Sequence, residues 1–140
     1  MINKDAILAK ISIIKNCLKR IKDTTKLDPD TLSNFDNQDI FVLNLQRAIQ
    51  ATIDISHKII SAYGYQLPNS YKMTFTVLKE NNWIDSETCE LMQKMSSFRN
   101  IAVHDYQTLD LEILKSILTK NLADFEKFYK QIQNKLNGQN

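Results

Sequence analysis

Gln38-Asp39-Ile40-Phe41-Val42-Leu43-Asn44-Leu45-Gln46-Arg47-Ala48-Ile49-Gln50-Ala51-Thr52-Ile53-Asp54-Ile55-Ser56-His57-Lys58-Ile59-Ile60-Ser61-Ala62 carries apolar residues on more than one side of a helix. Val42, Leu45, Ile49, Ile53, Ser56 and Ile60 trace one face, and Phe41, Ala48, Ile55 and Ile59 lie near a second. The spacing of three and four is that of an α-helix. A helix apolar over so much of its circumference must touch two or more neighbours, which predicts a central position in a bundle. Asn44, Gln46, Arg47 and Asp54 are its polar exceptions, expected to face solvent or form buried pairs.

Upstream, Ile7, Ile11, Ile14, Leu18 and Ile21 repeat at four-three-four-three, which predicts an amphipathic helix over about Lys4 to Thr24. Asp28-Pro29-Asp30-Thr31 ends it, because proline drives its predecessor out of the helical region. A polar connection with one short turn then leads to Asp36-Asn37. Downstream, Tyr63-Gly64-Tyr65-Gln66-Leu67-Pro68-Asn69 is a stop, with Gly64 suited to the left-handed cap. Ser70 can cap a short helix through about Asn81 that carries Phe75 and Leu78. Asp85 reads as the next N-cap, with Glu87 and Glu90 near the positive end of the helix dipole. That fourth helix turns Leu91, Met92, Met95 and Phe98 inward and reaches Arg99. A last helix, about Asp110 to Leu136, has Ile113, Ile117, Phe125, Phe128, Ile132 and Leu136 on a stripe that Leu114, Leu118 and Leu122 widen. The fold class is therefore all-α, a bundle of four to five helices in one domain spanning residues 1–140.

Composition narrows the function. The 140 residues include two glycines and two prolines, too few turn formers for an all-β fold. A formal net charge of +2 gives no global pull toward nucleic acid or a membrane. Lysine and arginine gather on the first helix, a face read as solvated surface that could also meet RNA or an acidic partner. Cys17 and Cys89 lack the paired spacing of a zinc site or a disulfide framework. Two isolated thiols fit a reducing cytoplasm. No apolar run approaches a membrane span, and no leader is evident, so the chain is expected to be soluble and cytoplasmic.

Reactive side chains concentrate in Ser97-Phe98-Arg99-Asn100-Ile101-Ala102-Val103-His104-Asp105-Tyr106. His104 can exchange a proton near neutral pH. Arg99 is permanently charged and forks onto phosphate oxygens. Asn100 adds an amide that can donate to phosphate or hold an imidazole tautomer. Together they form a minimal kit for breaking a phosphodiester without a metal. In an unbroken helix, Arg99 and His104 would lie about 140° apart around the axis and about 7.5 Å along it. To share a site, either the helix must loosen near Val103 or a second subunit must complete it.

The R-x4-H-x-Y spacing resembles the signature of the HEPN superfamily, in particular its HepT branch of RNase toxins. Asn44–Gln50 with Ile53–Ile55, Gly64 through Tyr71, Met95–Tyr106 and Leu122–Glu126 are similar to that family in the same order along the chain. The resemblance implies a HEPN-type bundle forming a two-fold homodimer with both signature segments facing across the interface. It implies a metal-independent endoribonuclease acting on RNA and not DNA, without a cofactor. In that chemistry the ribose 2′-OH attacks the adjacent phosphate, His104 moves protons, and Arg99 and Asn100 hold the phosphate. It also implies a nucleotidyltransferase-fold antitoxin as partner, which adenylylates Tyr106. The alternative is a non-catalytic HEPN subunit that binds a nucleotidyltransferase or nucleotides. His57 reads as polar-face decoration, and Tyr65 and Tyr71 as packing or turn residues. Asp54 is expected to orient Arg99 across the bundle.

Overall fold

A computed structural model of the protein describes residues 2–104 and 110–138, the side chains of residues 100–104 excepted. No strand occurs among the described residues. Helix α1 spans Lys4–Thr25, and the Asn3 side chain caps it by accepting from the Ala6 amide at 3.0 Å. Its expected stripe is buried, and Cys17 joins it. The helix ends in two left-handed residues, Lys26 and Leu27. A 3-10 turn, Pro29–Ser33, follows, with Asp28 as its cap and Leu32 fully buried.

Helix α2 is Phe35–Tyr63, beginning a little earlier than the apolar pattern suggests. The reason is Asn34, whose side chain accepts from the Asn37 amide at 3.1 Å and so fixes the start. At the other end Gly64 takes φ +66, and the amides of Gly64 and Tyr65 turn back to the carbonyls of Ser61 and Ile60. A left-handed glycine satisfies the orphan carbonyls of a helix end in this way. The helix packs against α1 and against three later helices, so the predicted central position holds. Its buried polar groups are satisfied within the helix: Asn44 donates to the Ile40 carbonyl, Thr52 to Ile49 and Ser56 to Thr52.

Helix α3, Tyr71–Glu80, is capped by Ser70, which accepts from the Met73 amide at 3.0 Å. Helix α4 is Ser86–His104. Helix α5, Leu111–Ser116, passes through a π-type stretch, Ile117–Asn121, into α6, Leu122–Asn137. Leu114, Ile117, Leu118, Leu122, Phe125, Phe128, Ile132 and Leu136 are buried here, whereas Ile113, expected on the stripe, is exposed. The core beneath α3 and α6 is aromatic. Phe75 and Phe128 meet edge to face at 6.1 Å between ring centres. Burying one such ring contributes about 1.5–3 kcal/mol. Trp83, in the α3–α4 turn, is also buried, and its indole N–H donates to the Tyr65 hydroxyl at 3.1 Å. Cys17 and Cys89 are buried free thiols whose pKa burial pushes up, which makes them poor nucleophiles.

Candidate functional site

The site depends on where α4 points its last turns, and α4 is tied down along its length. The Asp85 carboxylate accepts from the Thr88 amide at 2.8 Å, capping the helix. Gln131 of α6 then clasps that cap. Its carbonyl oxygen accepts from the Asp85 amide at 2.9 Å, and its amide donates to the Asp85 carboxylate at 3.0 Å and the Thr88 hydroxyl at 2.9 Å. The hydrogen bonds from Thr88, its backbone amide first, hold the Asp85 carboxyl below the usual carboxylate range. Lys127 of α6 pairs with Glu87 at 2.8 Å. Two turns on, the Gln93 amide donates to the Lys72 carbonyl at 2.8 Å and the Thr76 hydroxyl at 3.0 Å, fastening α4 to α3.

This framework delivers Arg99 to the first residue of α3. The Arg99 guanidinium donates to the Tyr71 hydroxyl at 3.2 Å, and its central carbon lies 5.5 Å from the Tyr71 ring centre. Both side chains are half-buried. A hydrogen bond together with a cation over an aromatic face restricts a long, flexible side chain. Tyr71 is held in turn by the Ser70 cap and by Thr74, whose hydroxyl donates to the Ser70 carbonyl at 2.9 Å. Tyr71 also lines an open cleft of about 550 Å³ whose other walls are His57, Pro68, Asn69, Ser70 and Thr74.

The helix continues through His104, so α4 does not loosen near Val103 in its backbone. Arg99 and His104 therefore keep helical spacing, about 140° and about 7.5 Å apart. The side chains of Asn100 and His104, and Tyr106 as a whole, lie outside the described residues.

Asp54 does not orient Arg99. Its two oxygens accept from Gln50 at 2.8 Å and from Lys10 of α1 at 3.1 Å. Burial works to raise this carboxyl, but the hydrogen bonds from Gln50 and Lys10, with the Lys10 charge, outweigh it and leave it below the ordinary value. The polar face of α2 lies against α1 here, so the nearer cation wins. His57 is exposed, as expected of a polar-face residue, yet it also walls the cleft beside Tyr71. Tyr71 itself was missed as a site residue. Its sequence signal is confined to a place directly after a helix cap in the Gly64–Tyr71 segment that resembles the family.

The basic stripe of α1 is partly used internally. Lys10 pairs with Asp54, Lys19 with Asp23, and Lys15 sits 5.2 Å from the centre of the Tyr129 ring. Among the described residues no three His, Cys, Asp or Glu side chains are grouped to hold a metal, and no helix is long and apolar enough to cross a membrane.

Comparison with known proteins adds to this geometry. Residues 14–132 match a family described as Ribonuclease HepT-like. The mRNA nuclease HepT of Shewanella oneidensis is 40% identical over 124 residues, covering 89% of this chain and 93% of that protein. A putative RNase of Archaeoglobus fulgidus is 27% identical over 133 residues, covering 95% of each. Among solved structures, the tri-AMPylated Shewanella oneidensis HEPN toxin in complex with MNT antitoxin superposes with a TM-score of 0.87. It is 40% identical to this chain, and the match covers 93% of this chain and 98% of that one.

Proposed function

The chain belongs to the Ribonuclease HepT-like family and is a homologue of the mRNA nuclease HepT, and from that premise we propose that it is a toxin that cleaves RNA. The whole of residues 1–140 acts as one HEPN domain in the cytoplasm. The observation that carries this reading is the Arg99 guanidinium, fixed against Tyr71, which is itself a wall of an open cleft. A guanidinium fixed before substrate arrives stabilises a developing phosphorane without reorganising during the reaction.

In the proposed reaction the ribose 2′-oxygen bonds to the adjacent phosphorus and the bond from phosphorus to the 5′-oxygen breaks. The 2′ proton is removed and a proton is delivered to the departing oxygen, work assigned to His104. Arg99 and Asn100 hold the phosphate oxygens. Because α4 stays helical through His104, a two-fold homodimer that sets each signature beside its symmetry mate would bring the groups together. The partner is a nucleotidyltransferase-fold antitoxin. The tri-AMPylated HEPN toxin solved with its MNT antitoxin supports this reading. Tyr106, two residues beyond His104, is the proposed acceptor. Phosphates added there would compete with RNA for Arg99.

The test is cleavage of a mixed RNA panel, chelator present, by wild type and His104→Ala, with intact mass recorded on the same samples. The expected result is cleavage by wild type that disappears in the variant. Wild-type protein of unmodified mass that leaves RNA intact would replace this reading with a non-catalytic subunit. Inactive protein carrying added AMP masses would point to a silenced enzyme, with Tyr106 the first acceptor to check through Tyr106→Phe.

A further inference from the structure

The cleft beside Arg99 has walls that phosphate binding does not account for. Its volume, about 550 Å³, falls within the range of small-ligand sites, about 300–1,000 Å³. Three of its residues are already committed to structure. The Ser70 hydroxyl caps α3, the Thr74 hydroxyl donates to the Ser70 carbonyl, and the Tyr71 hydroxyl accepts from Arg99. Two are not. The His57 imidazole and the Asn69 amide are both exposed and make no hydrogen bond among the described residues. Asp54, one turn before His57, gives its oxygens to Gln50 and Lys10 and acts on the imidazole through its charge, with no hydrogen bond between the two.

An aromatic ring, an exposed imidazole and an exposed amide thus line one open cleft that shares its tyrosine with a phosphate-binding arginine. Unstacked bases of single-stranded RNA are recognised by this combination, with stacking on an aromatic or histidine ring and hydrogen bonds to the base edge. A base is joined to its phosphate through one ribose, so the two binding elements must lie side by side. Tyr71 puts them there.

We propose that the cleft walled by His57, Asn69 and Tyr71 is a nucleobase subsite that seats a base flanking the phosphate held by Arg99. The inference rests on the ribonuclease reading and extends it to substrate choice. Asn69 and His57 are then the residues that set base preference, and Tyr71 serves twice, as wall of the subsite and as positioning residue for Arg99.

The chain has only two histidines, so His104→Ala leaves His57 as its single imidazole. That variant, otherwise full length, is titrated with a 2′-O-methyl oligoribonucleotide and with the same oligomer carrying one abasic position. Imidazole NMR signals and fluorescence polarisation are followed together. The expected result is a saturable shift of the His57 signals by the base-bearing oligomer and binding weaker by roughly tenfold for the abasic one. In the wild-type background, His57→Ala and Asn69→Ala are expected to raise KM more than they lower kcat and to alter the preferred cleavage site. Both positions are exposed, and an unchanged melting temperature checks the fold. An oligomer that binds while His57 stays unmoved, with wild type still cleaving RNA, overturns the subsite and leaves the ribonuclease reading intact. A protein that neither binds nor cleaves overturns both.

Discussion

The two ends of α4 are held by different means. At its start, Asp85, Glu87 and Thr88 are clasped by Gln131 and Lys127 of α6, and Gln93 adds a tie to α3. Toward its end, Arg99 leans on Tyr71, a residue whose own position depends on a helix cap. One end is built for permanence. The other holds a charged group against Tyr71, a wall of an open cleft. Damage at the first should appear as lost stability and damage at the second as lost activity, which is the usual division between a scaffold and the site it carries.

The largest expected effect tests the scaffold half. Phe75→Ala removes one ring of the Phe75–Phe128 pair beneath α3 and should cost about 3–5 kcal/mol, read from urea unfolding. A loss below about 1 kcal/mol would mean the aromatic packing beneath α3 is less decisive than its burial suggests.

Arg99→Ala tests the other half. RNA cleavage should fall by about 10²–10³-fold, while the unfolding midpoint barely moves. If stability fell as far as for Phe75→Ala, the contrast between the two ends would collapse.

Asp85→Asn sharpens the comparison through pH. The native pKa of Asp85 lies below its unfolded value of about 3.9, so its contribution is fully present above that value and is lost as pH falls through the native pKa. The variant should be less stable than wild type at pH 6, and the gap should close as pH falls through the native pKa of Asp85. A gap that stays constant across that range would remove the carboxylate as the source of the effect.

The smallest effect is expected at Asp54. With its partner Lys10 and its own side chain partly solvated, Asp54→Asn should cost less than about 1 kcal/mol and leave cleavage unchanged. A large fall in cleavage would restore the discarded link between Asp54 and Arg99.

Much of this architecture could be read from residue spacing. The stripe of α1, the two apolar faces of α2 and the cap at Asp85 follow from local periodicity and side-chain chemistry, and the structure has them. Asn34 is a preferred cap residue too, but it sits in a polar connection ahead of the apolar stripe, so the stripe alone starts α2 too late. Contacts across long stretches of chain were less accessible. Tyr71 and Arg99 are 28 residues apart and meet because α3 and α4 pack side by side, with Gln93 tying one to the other. Asp54 shows the converse error. A lone carboxylate on a helix states that it needs a cation, but not which neighbouring helix will supply one. The exposure of Ile113 was equally hidden, because a simple α-helical stripe cannot register the π-type stretch that follows it.

That π-type stretch gives the chain a residue of spare length. An α-helix turns about 100° per residue, so losing one residue inside Leu122–Asn137 would swing everything beyond it by that angle and carry Phe128 or Ile132 away from the core. A wide turn already holds more residues than an α-turn needs, and shortening Ile117–Asn121 by one can be absorbed by tightening it to ordinary helix. The final helical arm of the bundle thus has a place where its reading frame against the core can slip without unseating the aromatic rings.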